Sequence, residues 1–473
     1  MFRFSFLLIL PLLSAVPAAQ AEIKPASGDI VLTSTWRPES GTPIDCQGGK
    51  ISAAKPYKLK GNPHRRLNPS KPEVLIYLKD VHDVEIKNCD ISGGDAAIYI
   101  VRGGGHRIVH NKISARNAIT IFSSSDNLIQ DNLIRYGDAG VIVRMDSDRN
   151  HVNGNTVQLS ESLGEGGAAL AGYSTPDHAL ENIIIEGELT QVLNDVHTLE
   201  DLQFDDNKID IRGAEPGLDD DGFIGIALQG RTEGGRALNN AIAGGIYAVT
   251  SWGYEKWLPV IIPGWCSEDA ARRCTPLGWG EGDDCFLRGI DNGSKGQCEG
   301  AVFVWGETTE VLDAQFIGNT VSDAAFCLSA FLAPKGLIES NDASGCMVGI
   351  VVGDYMLESG KVLGNIIRNS ELAFSIVNAH GLDAGVEVSY NDFSDYESGV
   401  AAEQIICNAN ECTFEPDPNG YQLDTLLSRN HWGAYCEPPN LPPTVATPES
   451  YGFPVAELHR QGISSEDFGP FCN

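Results

Sequence analysis

Helical periodicity is almost missing from this sequence. Apolar residues recurring every three or four positions and sustained for three turns are found almost nowhere, which excludes a predominantly helical fold. Long apolar runs are scarce as well: after the first residues no segment approaches the ~20 uninterrupted apolar residues that a membrane helix needs, so no transmembrane segment is expected. Basic residues are few, 33 Lys and Arg against 64 Asp and Glu, for a net charge of -31. That balance argues against nucleic acid or an anionic membrane as a partner for the surface as a whole. No CxxC pair and no Cys/His cluster has the spacing of a zinc site.

What is present begins with an export signature. Arg3 supplies a positive start, Phe4 to Val16 an apolar run too short to span a bilayer, and Ala19-Gln20-Ala21 a small-x-small cleavage site. The mature protein is expected to start near Glu22 and to be exported, to the periplasm or the extracellular space. All 12 cysteines follow this segment, and an even number in an exported chain favours disulfides. Cys407 with Cys412 and Cys327 with Cys346 are close enough to clip local loops.

The charge is uneven. Residues 50–150 hold 16 basic and 11 acidic residues, a net of +5, which leaves -36 for the remainder. A locally basic third in an acidic protein is a candidate for recognising an anion.

A repeat then fixes the architecture. The unit Asn-x-aliphatic occurs at Asn111-Lys112-Ile113, Asn132-Leu133-Ile134 and Asn155-Thr156-Val157, and Ile91 precedes Ile113 by 22 residues. It returns at Asn207, Asn240, Asn319, Asn341, Asn365 and Asn391. Between these units a small residue leads into alternating apolar positions, as in Ala97-Ile98-Tyr99-Ile100, Ala118-Ile119-Thr120-Ile121 and Gly140-Val141-Ile142-Val143, with later copies from Gly225, Gly245, Gly349 and Ala373. Period-two alternation marks short strands, and the Gly, Asn, Asp and Ser between them mark turns. One such coil cannot bury its aliphatic face alone. Coils stacked about 4.8 Å apart would line the aliphatics into a continuous core, with each Asn at a turn bonding the coils above and below.

The pattern resembles the pectin-lyase-like superfamily, in particular its right-handed β-helix repeat members, over roughly Val74 to Trp432. The resemblance implies an all-β, single-stranded right-handed parallel β-helix. It is specific for the fold and weak for activity, because the repeat consists of core and turn residues. Expected boundaries are a signal peptide at 1–21, an N-terminal cap at 22–73, coils at 74–253 with an irregular insertion at about 159–205, a Cys- and Trp-rich insertion at 254–299, coils at 300–432 and a tail at 433–473. Cys46 is expected to tie the cap to Cys89, and Cys436 with Cys472 to pin the tail. Loops as long as 254–299 need disulfides and are commonly functional. Trp257, Trp265 and Trp279 stand there as a wall for sugar stacking or as the loop's own small core.

Candidate site residues follow from the strand alignment. With Ile98, Ile119, Val141 and Ile226 inward, Tyr99, Thr120, Ile142, Ala227 and Tyr247 point outward, and Val101, Phe122, Arg144, Gln229 and Val249 lie one step further on. Arg144 breaks an apolar column. Lyases and carbon-5 epimerases acting on uronate polymers need a cation for the carboxylate, a base for the adjacent proton and an acid on the other side. Members of the resembling superfamily use Lys, Arg, His or Tyr in these roles. Arg144 and Arg102 are candidates for cation and base and Tyr99 for the acid. Arg116, Arg135, Gln229, Arg231, Tyr247, Trp252 and Trp257 would bind substrate, with His380 and Asp146 in reserve. His106 lies in register with Asn127 and Asn150 and reads as a turn-ladder member. The expected function is therefore action on an acidic polysaccharide, the expected partner, by β-elimination or carbon-5 epimerisation. The alternatives are a non-catalytic module that binds a glycan or another partner, and a glycoside hydrolase using clustered Asp residues. Asp219 and Asp221 are candidate calcium ligands.

Overall fold

The computed structural model describes residues 29–54, 74–144, 147–160, 162–163, 167–174, 198–212, 223–252, 254–263, 287–291, 298–309, 311–331, 333–353, 359–377, 387–393, 396–407, 412–416, 430 and 452–453. Within them every regular element is a strand, and nearly all pairing is parallel between one coil and the next. Each coil contributes three wall segments. A three-residue strand of the eleven-stranded back sheet runs from Pro43–Asp45 through Leu128–Gln130 to Glu387–Ser389. After a turn, a short strand carries the residues that follow the repeated Asn, such as Thr156–Leu159. A longer strand then closes the coil, as in Ala96–Gly104 and Phe223–Gly230.

The aliphatic rows form as the repeat dictates. Ile91, Ile113, Ile134, Val157 and Ile209 are register partners in sequence and are all but fully buried. Ile108, Ile129, Val152 and Phe204 make the matching row on the back sheet. A third row comes from the long strands: Ile98, Ile119, Val141, Leu170 and Ile226. Just before it, a small residue also turns inward, because the backbone of the next coil passes close behind. A Cβ at Gly140 would stand 2.2 Å from the carbonyl oxygen of Ala169.

Two inward residues in succession break the simple alternation, which has one consequence for register. Ala248, not Gly245, is the small inward residue of its coil, so Val249 is a buried core residue rather than an outward one. Tyr247 pairs with Ile224 instead of lying beside Ala227, and Thr250 takes the place expected for it. A strand that sequence alternation does not announce, Gly167–Ser174, inserts between Leu133–Arg144 and Phe223–Gly230.

The Asn corner is continuous. From Asn111 through Asn132, Asn155, Asn207, Asn240, Asn319, Asn341, Asn365 and Asn391 to Asn430, each Oδ1 beyond the first accepts the backbone N–H and the side-chain amide of the preceding Asn at 2.8–3.1 Å. Each Nδ2 also donates to a carbonyl of the back sheet, for example Asn240 to Phe204. Buried amides thus satisfy buried backbone groups, which would otherwise cost about 1–3 kcal/mol apiece. A shorter ladder runs beside it: Val84 N–H donates to His106 Nδ1, and the backbone N–H groups of His106 and Asn127 donate to the Oδ1 atoms of Asn127 and Asn150.

Coil pairing begins at Ile30, inside the stretch expected to be a cap: Ile30–Leu32 pairs with Lys50–Ala53, and Trp36 bridges to Ile76. The Cys46–Cys89 and Cys327–Cys346 disulfides both form. Across the expected insertion, Tyr254–Pro263 and Leu287–Asp291 pair antiparallel with Cys298–Thr309. The signal segment, Trp265, Trp279, Cys436 and Cys472 lie outside the described residues.

Candidate functional site

Most outward positions of the long strands are dry. Tyr77, Tyr99, Thr120, Ile142, Ala171, Ala227, Thr250, Ser329, Val351 and Ser375 form one column, and every member is buried. Tyr99 is 5% exposed and packs beside Tyr77 with Val101 and Phe122. Its ring centroid is 5.9 Å from that of Tyr77, and the Arg37 guanidinium lies 4.6 Å from the Tyr77 ring.

The column nearer the strand ends changes character along the axis. Val101 and Phe122 are followed in register by Arg144, Tyr173, Gln229, Trp252 and Phe331. Arg144 is half-buried and Gln229 buried. Three of the expected residues, Arg144, Gln229 and Trp252, therefore share one column, which the register extends to Tyr173. The signal for Tyr173 was obscured because its strand, rich in Gly and Ala, carries weak alternation.

The other expected residues disperse. Arg102 adopts a positive φ of 49° at the strand end and donates to both carboxylate oxygens of Asp80 on the preceding coil, at 2.7 and 3.2 Å. This pairing holds the Asp80 carboxyl below its usual range. Arg116 sits at the opposite, leading margin of the long strands, buried and ion-paired with Asp138, with Asp95 3.9 Å from it on the other side. A glycoside hydrolase needs the space between its two carboxyl groups for the glycosidic bond and water. Here the coil bearing Arg116 lies between Asp95 and Asp138, so the cluster reads as a buried ion ladder. Arg135 is exposed on the short-strand wall, in register with Ser114 and Gln158, away from the Arg144 column. Arg231 is exposed in the turn after Gly230. Tyr247 stacks on Phe326, with ring centroids 5.0 Å apart and planes 14° from parallel. Trp257 pairs in register with Trp305 in the antiparallel sheet. Asp146, His380, Asp219 and Asp221 lie outside the described residues, and no group of three or more His, Cys, Asp or Glu suited to a metal ion occurs among the described ones.

His106 is fully buried, and removal from water pushes its pKa down to about 4. It accepts the Val84 N–H through Nδ1, which only an unprotonated nitrogen can do. This is the ladder role expected of it.

A cluster that sequence did not announce lies on the back sheet. His151, Gln203, Asp205 and Arg236 come together from three successive coils, although up to 85 positions separate His151 from Arg236 in sequence.

Residues 70–187 match the family described as a right handed beta helix region. No curated protein matches the chain. Among solved structures, the catalytic domain of a GH87 alpha-1,3-glucanase variant in complex with tetrasaccharides is 12% identical, with a TM-score of 0.36; the alignment covers 77% of this chain and 63% of that domain. DFA-IIIase from Arthrobacter chlorophenolicus A6 is 8% identical at a TM-score of 0.32, covering 84% of this chain and 81% of that one. The pre-mature gene product 12 of bacteriophage phi29 is 10% identical at 0.31, covering 79% and 52%. The chain thus spans less than two thirds of the glucanase domain, and at these scores the likenesses carry no residue roles across. The family match over residues 70–187 and the strand register of the described residues agree on the architecture: the chain folds as a right-handed parallel β-helix.

Proposed function

We propose that the chain works outside the cytoplasm as a module that binds an acidic polysaccharide along the trailing margin of its long strands, with Arg144 neutralising a uronate carboxylate. The observation that carries this reading is the column itself. After two apolar coils, four consecutive coils place Arg144, Tyr173, Gln229 and Trp252 in line, a cation and two aromatic residues with the buried amide of Gln229 among them, about 4.8 Å apart along the axis. The net +5 charge of residues 50–150 and the two disulfides support the choice of an anionic ligand and an oxidising compartment.

Binding is preferred to β-elimination or carbon-5 epimerisation for a geometric reason. Those reactions need a base and an acid beside the cation. Tyr99 is buried two coils from Arg144, and Arg102 is committed to Asp80. Calorimetry with alginate, pectate and glycosaminoglycans tests the reading: Arg144→Ala and Trp252→Ala should each weaken binding by about tenfold or more. Unchanged affinity in Arg144→Ala would remove the proposal. New absorbance from unsaturated ends would return the lyase reading with a different acid and base.

A further inference from the structure

Asp205 stands at an outward position of the back sheet, yet its side chain is only 6% exposed, because two longer side chains close over it. His151, one coil before, brings Nε2 to 3.1 Å from Oδ2. Arg236, one coil after, donates from Nη2 to Oδ2 at 2.7 Å and from Nε to Oδ1 at 3.3 Å, and Nη2 also donates to Gln203 Oε1 at 3.0 Å. Burial alone would raise the Asp205 carboxyl, but the hydrogen bonds from His151 and Arg236 outweigh it and hold the group below its usual range.

A buried carboxylate is a costly way to join three coils. On the two coils that follow, the same column carries Leu238 and Ile317, which need no partners. What Asp205 does that an aliphatic cannot is fix the imidazole and the guanidinium in one arrangement at the surface, where they remain 32% and 38% exposed. The carboxylate selects the tautomer in which His151 donates from Nε2, so Nδ1 presents a lone pair. Neither Nδ1 of His151 nor Nη1 of Arg236 makes a hydrogen bond among the described residues. The cluster therefore offers one acceptor and one donor on the same wall, one from the coil on each side of Asp205. Adjoining outward positions carry further planar amides: Gln130 and Asn153 in one column, Gln315 in the other.

We infer that His151 and Arg236, positioned by Asp205, form a subsite for a sugar ring, one hydroxyl donating to His151 Nδ1 and its neighbour accepting from Arg236 Nη1. This deepens the glycan reading by adding a contact face on a wall separate from the Arg144 column. Nothing in it requires the sugar to be charged.

The experiment is calorimetric titration of the full chain and its variants with neutral gluco-oligosaccharides and with oligouronates, accompanied by histidine ring NMR signals and melting temperatures. His151→Ala and Arg236→Ala should each lower affinity about tenfold, the loss expected for one hydrogen bond left unmade. Asp205→Asn should do the same by releasing both side chains. The His151 ring signal, identified by its loss in His151→Ala, should move on titration. A fall in melting temperature with affinity and ring signal unchanged would overturn the inference and leave the cluster as a clip between coils. Arg144→Ala separates the two readings: if it alone abolishes binding this subsite fails, whereas if only the back-sheet variants weaken binding the Arg144 column fails.

Discussion

The long-strand wall and the back sheet are built by the same stacking, and their outward columns end in opposite environments. On the long wall, Ile142, Ala171 and Ala227 are sealed from solvent. On the back sheet, Arg107, His151 and Arg236 occupy outward positions and remain partly or largely exposed. Strand parity decides which side of a wall a residue faces, but not whether that side is wet. A functional column is therefore recognised by where the chemistry changes along the axis and by what a buried polar group holds in place.

That comparison can be broken at several points. The largest effect is expected in the shared interior rather than on either wall. Asn240→Ala removes the acceptor of the Asn207 N–H and the donor to Phe204, leaving buried backbone groups unmatched. It should cost about 4 kcal/mol, read as a lowered urea midpoint; a loss below about 1 kcal/mol would mean that the ladder is ornamental. Next, an aspartate placed outward should matter on one wall only. Ile142→Asp should destabilise by about 3 kcal/mol, whereas Gln130→Asp on the back sheet should stay within about 0.5 kcal/mol. Equal effects in chemical denaturation would contradict the contrast between a dry and a wet wall.

A third effect depends on pH. The folded-state pKa of His106 lies at about 4, below the ordinary 6.5, so the unfolded chain takes up a proton first as the pH falls. Stability from this residue is intact above pH 6.5, declines between 6.5 and 4, and is flat below that. The loss should amount to about 3 kcal/mol. His106→Asn, which supplies the amide that Asn127 and Asn150 use at the same corner, should remove that decline while leaving stability at pH 8 nearly unchanged; melting temperatures from pH 8 to 4 check both arms. A further loss at lower pH, where Asp205, Asp80 and Asp126 take up protons that their partners normally exclude, should persist in the variant. The smallest effect belongs to Arg102→Ala. Its pair with Asp80 is substantially exposed, so stability should fall by less than about 1 kcal/mol, and glycan affinity should be unaltered.

The coil was readable because its constraint is local. Each Asn needs the same turn and each aliphatic two residues later the same interior row, so Ile113, Ile134 and Val157 announce the stack by spacing alone. Cysteine proximity likewise gave Cys327 with Cys346, and the cap argument gave Cys46 with Cys89. Register on the long wall was less legible because two successive inward residues shift the parity, which misplaced Tyr247 and Val249. Most site positions were illegible for a different reason. Whether Tyr99 is covered, or Arg102 engaged by Asp80, depends on side chains from other coils. The meeting of His151 with Asp205 spans 54 positions, a separation that no local pattern encodes.

The Asn corner has a consequence for how such a chain changes length. Successive members are separated by as few as 21 residues and as many as 79, yet the bond between them keeps the same geometry. The spacer has no vote: the amide stack fixes the pitch, and closing a longer excursion adds only slowly to the entropy cost. Segments can be spliced between members, or whole coils added or deleted, without retuning the remainder. This makes the molecule a scaffold whose decorations can be exchanged one coil at a time.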